Sequence, residues 1–190
     1  IPTGEEIGVI GTFVKEKLIK KQSSNLEIEN FQIKLSEMYR QKRLIHEKND
    51  YTFTDKTLEN FFYIGLLKEI FPHAKIINCK RSPLSSIMSI LQNNLPGVPW
   101  AHNLKHIFTY FDIYYKIINN FKKKFPNFIF ELNLDKLVNN PETESQKLMK
   151  FCDLPWDKKC LEFYKRKDLI SKTTSNIQIR KAINKDSIKK

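Results

Sequence analysis

A short apolar run, Ala74–Cys79, ends in Lys80 and Arg81 and passes directly into Ser82 and Pro83. That order constrains the fold more than any other stretch of the chain. Ser is a favoured helix N-cap, and Pro is favoured at the first helical position, where its missing N–H costs nothing. The segment therefore predicts a strand over Ala74–Arg81 that feeds a helix carrying Ser89. Arg81 stands where the strand stops, and Ser89 lies about two turns into the helix. Open α/β sheets bind ligands at the carboxyl ends of their strands. A guanidinium there and a hydroxyl on the adjoining helix can both reach one phosphate. The bland alternative is a surface Arg and a helix-face Ser. The eight-residue separation of Arg81 and Ser89 reads instead as an anion clamp.

The remaining pattern alternates helix and strand. Ile7, Ile10, Val14, Leu18 and Ile19 predict a helix over Ile7–Lys21. Ile28, Phe31, Leu35, Met38 and Tyr39 predict a second, running to about His46. Tyr51–Thr54 is short and β-prone, closed by Asp55 and Lys56, and an apolar helix over Leu58–Ile70 follows. The stripe Trp100, Leu104, Ile107, Phe111, Tyr114, Ile118 and Phe121 predicts one long helix whose aromatic face is core. Phe128–Leu132 is a third strand. It is followed by a loop, a helix from about Pro141 to Cys152, a short helix over Asp157–Tyr164 and a polar, basic tail. Such alternation implies parallel pairing in an α/β layer structure. Residues 1–190 are expected to form a single domain, with a sheet that is thin for its length.

Composition narrows the function classes. The 41% hydrophobic and 12% aromatic shares oppose disorder. No run of 18 apolar residues is present, so no membrane span is expected. Cys79, Cys152 and Cys160 lack metal spacing, and the four histidines form no HExxH or His–Cys cluster, so no metal is expected. An odd number of cysteines without a CxxC pair suggests reduced thiols in a reducing compartment, which the cytoplasm would supply. Cys79 is expected to be buried within its strand. The net charge of +12 reads either as a polyanion footprint or as a Lys-, Ile- and Asn-rich composition on solvated faces. The lysines are spread along the chain, which favours the second.

With these residues in hand, the chain resembles the sulfotransferases, nearest the bacterial type often fused to tetratricopeptide repeats and the protein-tyrosine sulfotransferases. The resemblance runs from about Thr3 to the last residue. It rests on ordered pieces: GEE at Gly4–Glu6, TDK at Thr54–Lys56, FPHAKIINCKRSP at Phe71–Pro83, and Ser89. LVNNPE at Leu137–Glu142, FCDLPWD at Phe151–Asp157 and TTSNIQIRKAI at Thr173–Ile183 complete the set. Each piece alone is weak; their order and spacing together are strong.

The resemblance implies a P-loop-like α/β fold with a parallel sheet flanked by helices. It also implies a donor substrate, 3′-phosphoadenosine 5′-phosphosulfate, and a hydroxyl-bearing acceptor, with protein tyrosine, carbohydrate, lipid and small phenol all open. By resemblance Arg81 and Ser89 hold the donor's 3′-phosphate, and Arg is suited to bidentate phosphate recognition. Lys56, 25 residues before Arg81, matches the cation beside the bridging oxygen, where charge grows as the bond breaks. Glu5 and Glu6 stand where the family places its general base. The tyrosine type favours Glu6 and the repeat-fused type Glu5; either could instead simply favour a helix N-terminus. Ser175 matches a serine that stabilises the reacting sulfate. Gln178, Arg180 and Lys181 lie in a basic strip over the nucleotide, and Lys190 matches a donor-contacting lysine.

There are departures. The Arg-Asp-Pro type piece reads Arg81-Ser82-Pro83 here, and Leu134 replaces a Tyr common before the LVxxP piece. The chain opens IPTGEEIG without an initiator Met, and the family's phosphosulfate-binding loop is expected just upstream of Ile1. The 190 residues are thus expected to be a partial domain, inactive alone, from a longer chain that could carry tetratricopeptide repeats. Rival readings are a basic nucleic-acid-binding domain, an inactive nucleotide-binding fragment and a P-loop kinase or nucleotidase. The first would need aromatic stacking platforms or a recognition helix. The aromatics instead fall on stripes read as buried, so no nucleic-acid partner is expected. The last would need GxxxxGK[ST], which this sequence lacks.

Overall fold

The computed structural model describes residues 3–4, 6–16, 28–45, 52–93, 95–165 and 182–183. Two compact units divide the chain, Ile1–Ala74 and Lys75–Lys190.

The first unit pairs two very short parallel strands. β1 is Thr3–Gly4 and β2 is Thr54–Asp55, in register Thr3↔Thr54 and Gly4↔Asp55. The crossover between them includes helices α1, Val9–Val14, and α2, Ile28–Gln41. After β2 comes a 3-10 turn over Leu58–Tyr63 and helix α3, Ile64–Ile70. The core is Val9, Ile10 and Phe13 of α1 against Leu35 of α2 and Ile64 and Ile70 of α3. Phe13 meets Phe31 edge to face, centroids 5.2 Å apart. Such burial, at roughly 25 cal/mol per Å² of apolar surface, is what holds helices this short in place.

Several boundaries differ from the sequence expectation for local reasons. α1 starts at Val9, not Ile7, because Gly8 precedes it at φ +61°, a left-handed conformation that glycine adopts without a Cβ penalty. The expected far end of that helix lies outside the described residues. α2 stops at Gln41, before the expected His46, in a Schellman closure. Arg43 takes φ +59°, its N–H bonds the Arg40 carbonyl, and the Leu44 N–H bonds the Tyr39 carbonyl. The β-prone stretch pairs only at Thr54–Asp55, two residues opposite two. The expected single helix over Leu58–Ile70 is 3-10 for its first six residues.

The second unit pairs β3, Ile76–Lys80, with β4, Ile129–Asn133, in parallel over the full length of both. The crossover contains α4, Pro83–Gln92, a 3-10 turn over Pro99–His102 and the long α5, Leu104–Lys124. α6, Leu134–Asn139, occupies the segment expected to be a loop. Asn133 caps it, Oδ1 accepting from the Lys136 N–H at 3.0 Å. α7, Pro141–Phe151, follows with proline at its start, and a 3-10 stretch over Lys158–Lys165 comes last.

Two expectations about the core are corrected. Cys79 is exposed, and its neighbour Asn78 is buried instead. Side chains alternate along a strand, and here the polar member of the pair is the one turned inward. Its amide oxygen accepts from the Tyr114 hydroxyl at 2.6 Å. The α5 stripe is not uniformly core either. Ile107 and Ile118 are buried, Leu104 is 47% exposed, and the aromatic members are half-buried. Trp100 stacks on Tyr110 at 3.8 Å.

Candidate active site

In the first unit the chemistry gathers at the carboxyl ends of β1 and β2. Glu6 follows β1 and Lys56 follows β2. Because the two strands run parallel and in register, both side chains emerge from the same end of the ladder. Lys56 Nζ lies 3.6 Å from Glu6 Oε1, and both side chains remain about 60% exposed. An ion pair this open contributes little to stability. It places a carboxylate and an ammonium where a third molecule can meet both.

The backbone under Lys56 is fixed by its neighbours. Asp55 Oδ1 accepts from the Thr57 N–H at 2.9 Å and the Thr57 hydroxyl at 2.7 Å. Asp55 Oδ2 accepts from the Tyr39 hydroxyl at 2.8 Å. Tyr39 is buried, stacks at a tilt on Phe53, and has its phenol pKa driven far up. Burial is the main cause, followed by the Asp55 charge and the hydrogen bond to it. The phenol is therefore a permanent donor at any working pH. Thr57 Oγ1 also accepts from the Gly8 N–H at 3.0 Å.

In the second unit Arg81 follows β3, and Ser82 caps α4 with Oγ accepting from the Ser85 N–H at 3.5 Å, as the sequence predicts. The half-buried Arg81 guanidinium donates through Nη2 to the Ser85 carbonyl. Its Nε is buried and has no partner among the described residues. In an α-helix the carbonyl of Ser85 faces the amide of Ser89, so the guanidinium lies beside the turn that carries Ser89. The Ser89 hydroxyl accepts from Asn93 Nδ2 at 3.4 Å. The Arg81 guanidinium thus lies against the first turns of α4.

Among the sequence-predicted site residues, Glu6 and Lys56 come together in the first unit, and Arg81 and Ser89 lie on consecutive elements of the second. Glu5, Ser175, Gln178, Arg180, Lys181 and Lys190 lie outside the described residues. Among the described residues no cluster of His, Cys, Asp or Glu could hold a metal ion, and no helix is long and apolar enough to cross a membrane. Sequence reasoning missed Asp55, Thr57 and Tyr39. Asp-x-Thr is an Asx-turn signature, so the first two were available; Tyr39 carries no such signal.

A sulfotransferase family model matches residues 13–158. The chain belongs to the sulfotransferase family. It is also 36% identical over 140 residues to an uncharacterized protein of Aquifex aeolicus (strain VF5). That match covers 72% of this chain and 18% of the relative. The family match crosses the boundary between the two units. A helix-rich α/β architecture with short parallel strand pairs fits a sulfotransferase-type fold.

Proposed function

We propose that this sulfotransferase, working as one domain with a P-loop-like phosphosulfate site, takes its sulfuryl group from 3′-phosphoadenosine 5′-phosphosulfate and passes it to a hydroxyl. The observation that carries the reading is the 3.6 Å approach of Glu6 and Lys56 at the carboxyl ends of two parallel strands. In-line transfer asks for those two groups. The acceptor oxygen attacks sulfur while the bond from sulfur to the bridging oxygen breaks. That electron pair stays on the bridging oxygen, which departs as part of adenosine 3′,5′-bisphosphate. Lys56 meets the negative charge growing on that oxygen, and Glu6 takes the acceptor's proton. Glu6 is favoured over Glu5 because its carboxylate faces Lys56.

Arg81 and Ser89 would hold the 3′-phosphate. Arg81 Nε is a buried donor with no partner among the described residues, and the Nη2 bond to the Ser85 carbonyl can be exchanged for a phosphate oxygen. Ser175, Arg180, Lys181 and Lys190 are assigned to the sulfate and nucleotide by family resemblance. The acceptor is left at the level of a hydroxyl, tyrosine and carbohydrate being the classes to try.

The test is single-turnover transfer from radiolabelled donor in the full-length protein. The acceptors are p-nitrophenol, a tyrosine peptide and a monosaccharide. Glu6→Gln and Lys56→Met should each lower the rate about 100- to 10,000-fold, with donor affinity kept within about threefold. Full rates in both variants would remove these residues from the chemistry.

A further inference from the structure

We infer that Thr57, itself oriented by Asp55, is a positioning residue that fixes Glu6 and Lys56 relative to each other. The inference rests on the transfer chemistry proposed above. The β1–β2 ladder is only two residues long and ends at Gly4↔Asp55. Glu6 and Lys56 lie beyond it, on chain that the ladder does not hold. Among the described residues, the next hydrogen bond between the two segments is that from the Gly8 N–H to Thr57 Oγ1, 49 residues away in sequence.

The hydroxyl's bonding explains why a threonine suits this place. A hydroxyl has one proton to donate and two lone pairs to accept with. Thr57 Oγ1 spends the proton on Asp55 Oδ1, so its lone pairs turn toward the Gly8 N–H. Asp55 is held in turn by the Tyr39 hydroxyl on its other oxygen and by the Thr57 N–H. Gly8 is locked from its far side, its carbonyl accepting from the Thr12 N–H at 3.0 Å and the Thr12 hydroxyl at 2.9 Å. The chain Tyr39–Asp55–Thr57–Gly8 therefore ties the turn after β2 to the turn after β1. Lys56 is bracketed by two of its members, and Glu6 is two residues from a third. None of the four side chains or backbone groups needs to touch a substrate.

Misplacing a reacting group by about 1 Å can cost on the order of 100-fold in rate. Thr57→Val keeps the side-chain shape but can neither donate nor accept. In the single-turnover assay it should slow transfer about 10- to 100-fold while donor affinity stays within about threefold. Thr57→Ser, which keeps the hydroxyl, should recover most of the rate. The deciding measurement is a double-mutant cycle. In a Lys56→Met background, Thr57→Val should cost less than about twofold, because one member of the pair whose relative placement it fixes is gone. A merely structural role would keep its full cost there. Should Thr57→Val fail to fold, Tyr39→Phe releases Asp55 from the opposite side and should show the same loss of effect in the Lys56→Met background. A wild-type rate in Thr57→Val, or full additivity with Lys56→Met, overturns the inference. Should Lys56→Met and Glu6→Gln themselves transfer at full rate, the transfer reading fails and the inference falls with it. Impaired Lys56→Met beside unimpaired Thr57→Val sinks the inference alone.

Discussion

Tyr39→Phe removes one oxygen from the interior of the first unit and nothing else. The ring contact with Phe53, centroids 4.6 Å apart, is kept. What is lost is a 2.8 Å hydrogen bond from a phenol that is 3% exposed to a carboxylate. Hydrogen bonds to charged groups contribute about 1.5–3 kcal/mol net. In a domain of this size each kcal/mol moves the melting temperature about 2–4 °C, so Tm should fall by roughly 3–12 °C. The pH dependence supplies a second, sharper signature. The folded-state pKa of Tyr39 is raised, chiefly by burial and then by the Asp55 charge. A raised folded pKa gives stability that is fully present below the unfolded value, about 10 for tyrosine. It is lost as pH rises toward the folded value. Above about pH 10 the unfolded wild type can ionise this phenol and the folded state cannot. The advantage of wild type over Tyr39→Phe should then shrink by about 1.4 kcal/mol per pH unit. Urea unfolding followed by circular dichroism at about pH 7, 10 and 11 would measure both effects. A gap below about 0.5 kcal/mol at neutral pH, or one that stays constant through pH 11, would refute the reasoning.

Two further outcomes concern the second unit. Adenosine 3′,5′-bisphosphate should bind the full-length protein more tightly than adenosine 5′-monophosphate. By calorimetry Arg81→Ala should narrow that gap at least about tenfold, the equivalent of one lost charge-assisted pair; an unchanged ratio would take Arg81 out of the donor site. Glu131 bridges Lys122 at 2.9 Å and Lys80 at 3.2 Å. Burial would raise its pKa, but the hydrogen bonds from the two lysines outweigh burial and hold it below the ordinary value. A lowered folded pKa gives stability present above the unfolded value and lost as pH falls through the folded one. Glu131→Gln should therefore destabilise modestly at neutral pH, and converge on wild type below about pH 4.3. A constant difference across that range in thermal melts would show that the pair contributes nothing ionic.

Much of the site could be read directly from the chain because its signals are local. Ser82 and Pro83 set the start of α4 through cap chemistry that needs no partner. The apolar run before them became β3 within two residues of its expected start. The helical spacing of Phe31, Leu35 and Tyr39 marked the buried face of α2. Elsewhere local signals were overruled. The apolar run around Asn78 reads as a uniformly buried strand, yet alternation turned Asn78 inward and left Cys79 exposed, because Tyr114 of α5 offers the amide a hydroxyl. Thr3–Gly4 is too short for any strand signal and exists as β1 only because Thr54–Asp55 lies beside it. Residue order alone pointed to the family and to the strand-to-helix turn that carries Arg81. Only the tertiary structure decided that Glu6 and Lys56 face each other, and that a buried Tyr39 anchors the turn beneath them. Those contacts join residues 16 to 50 positions apart, and hydrophobic periodicity, which reaches a few residues, carries no information about such pairs.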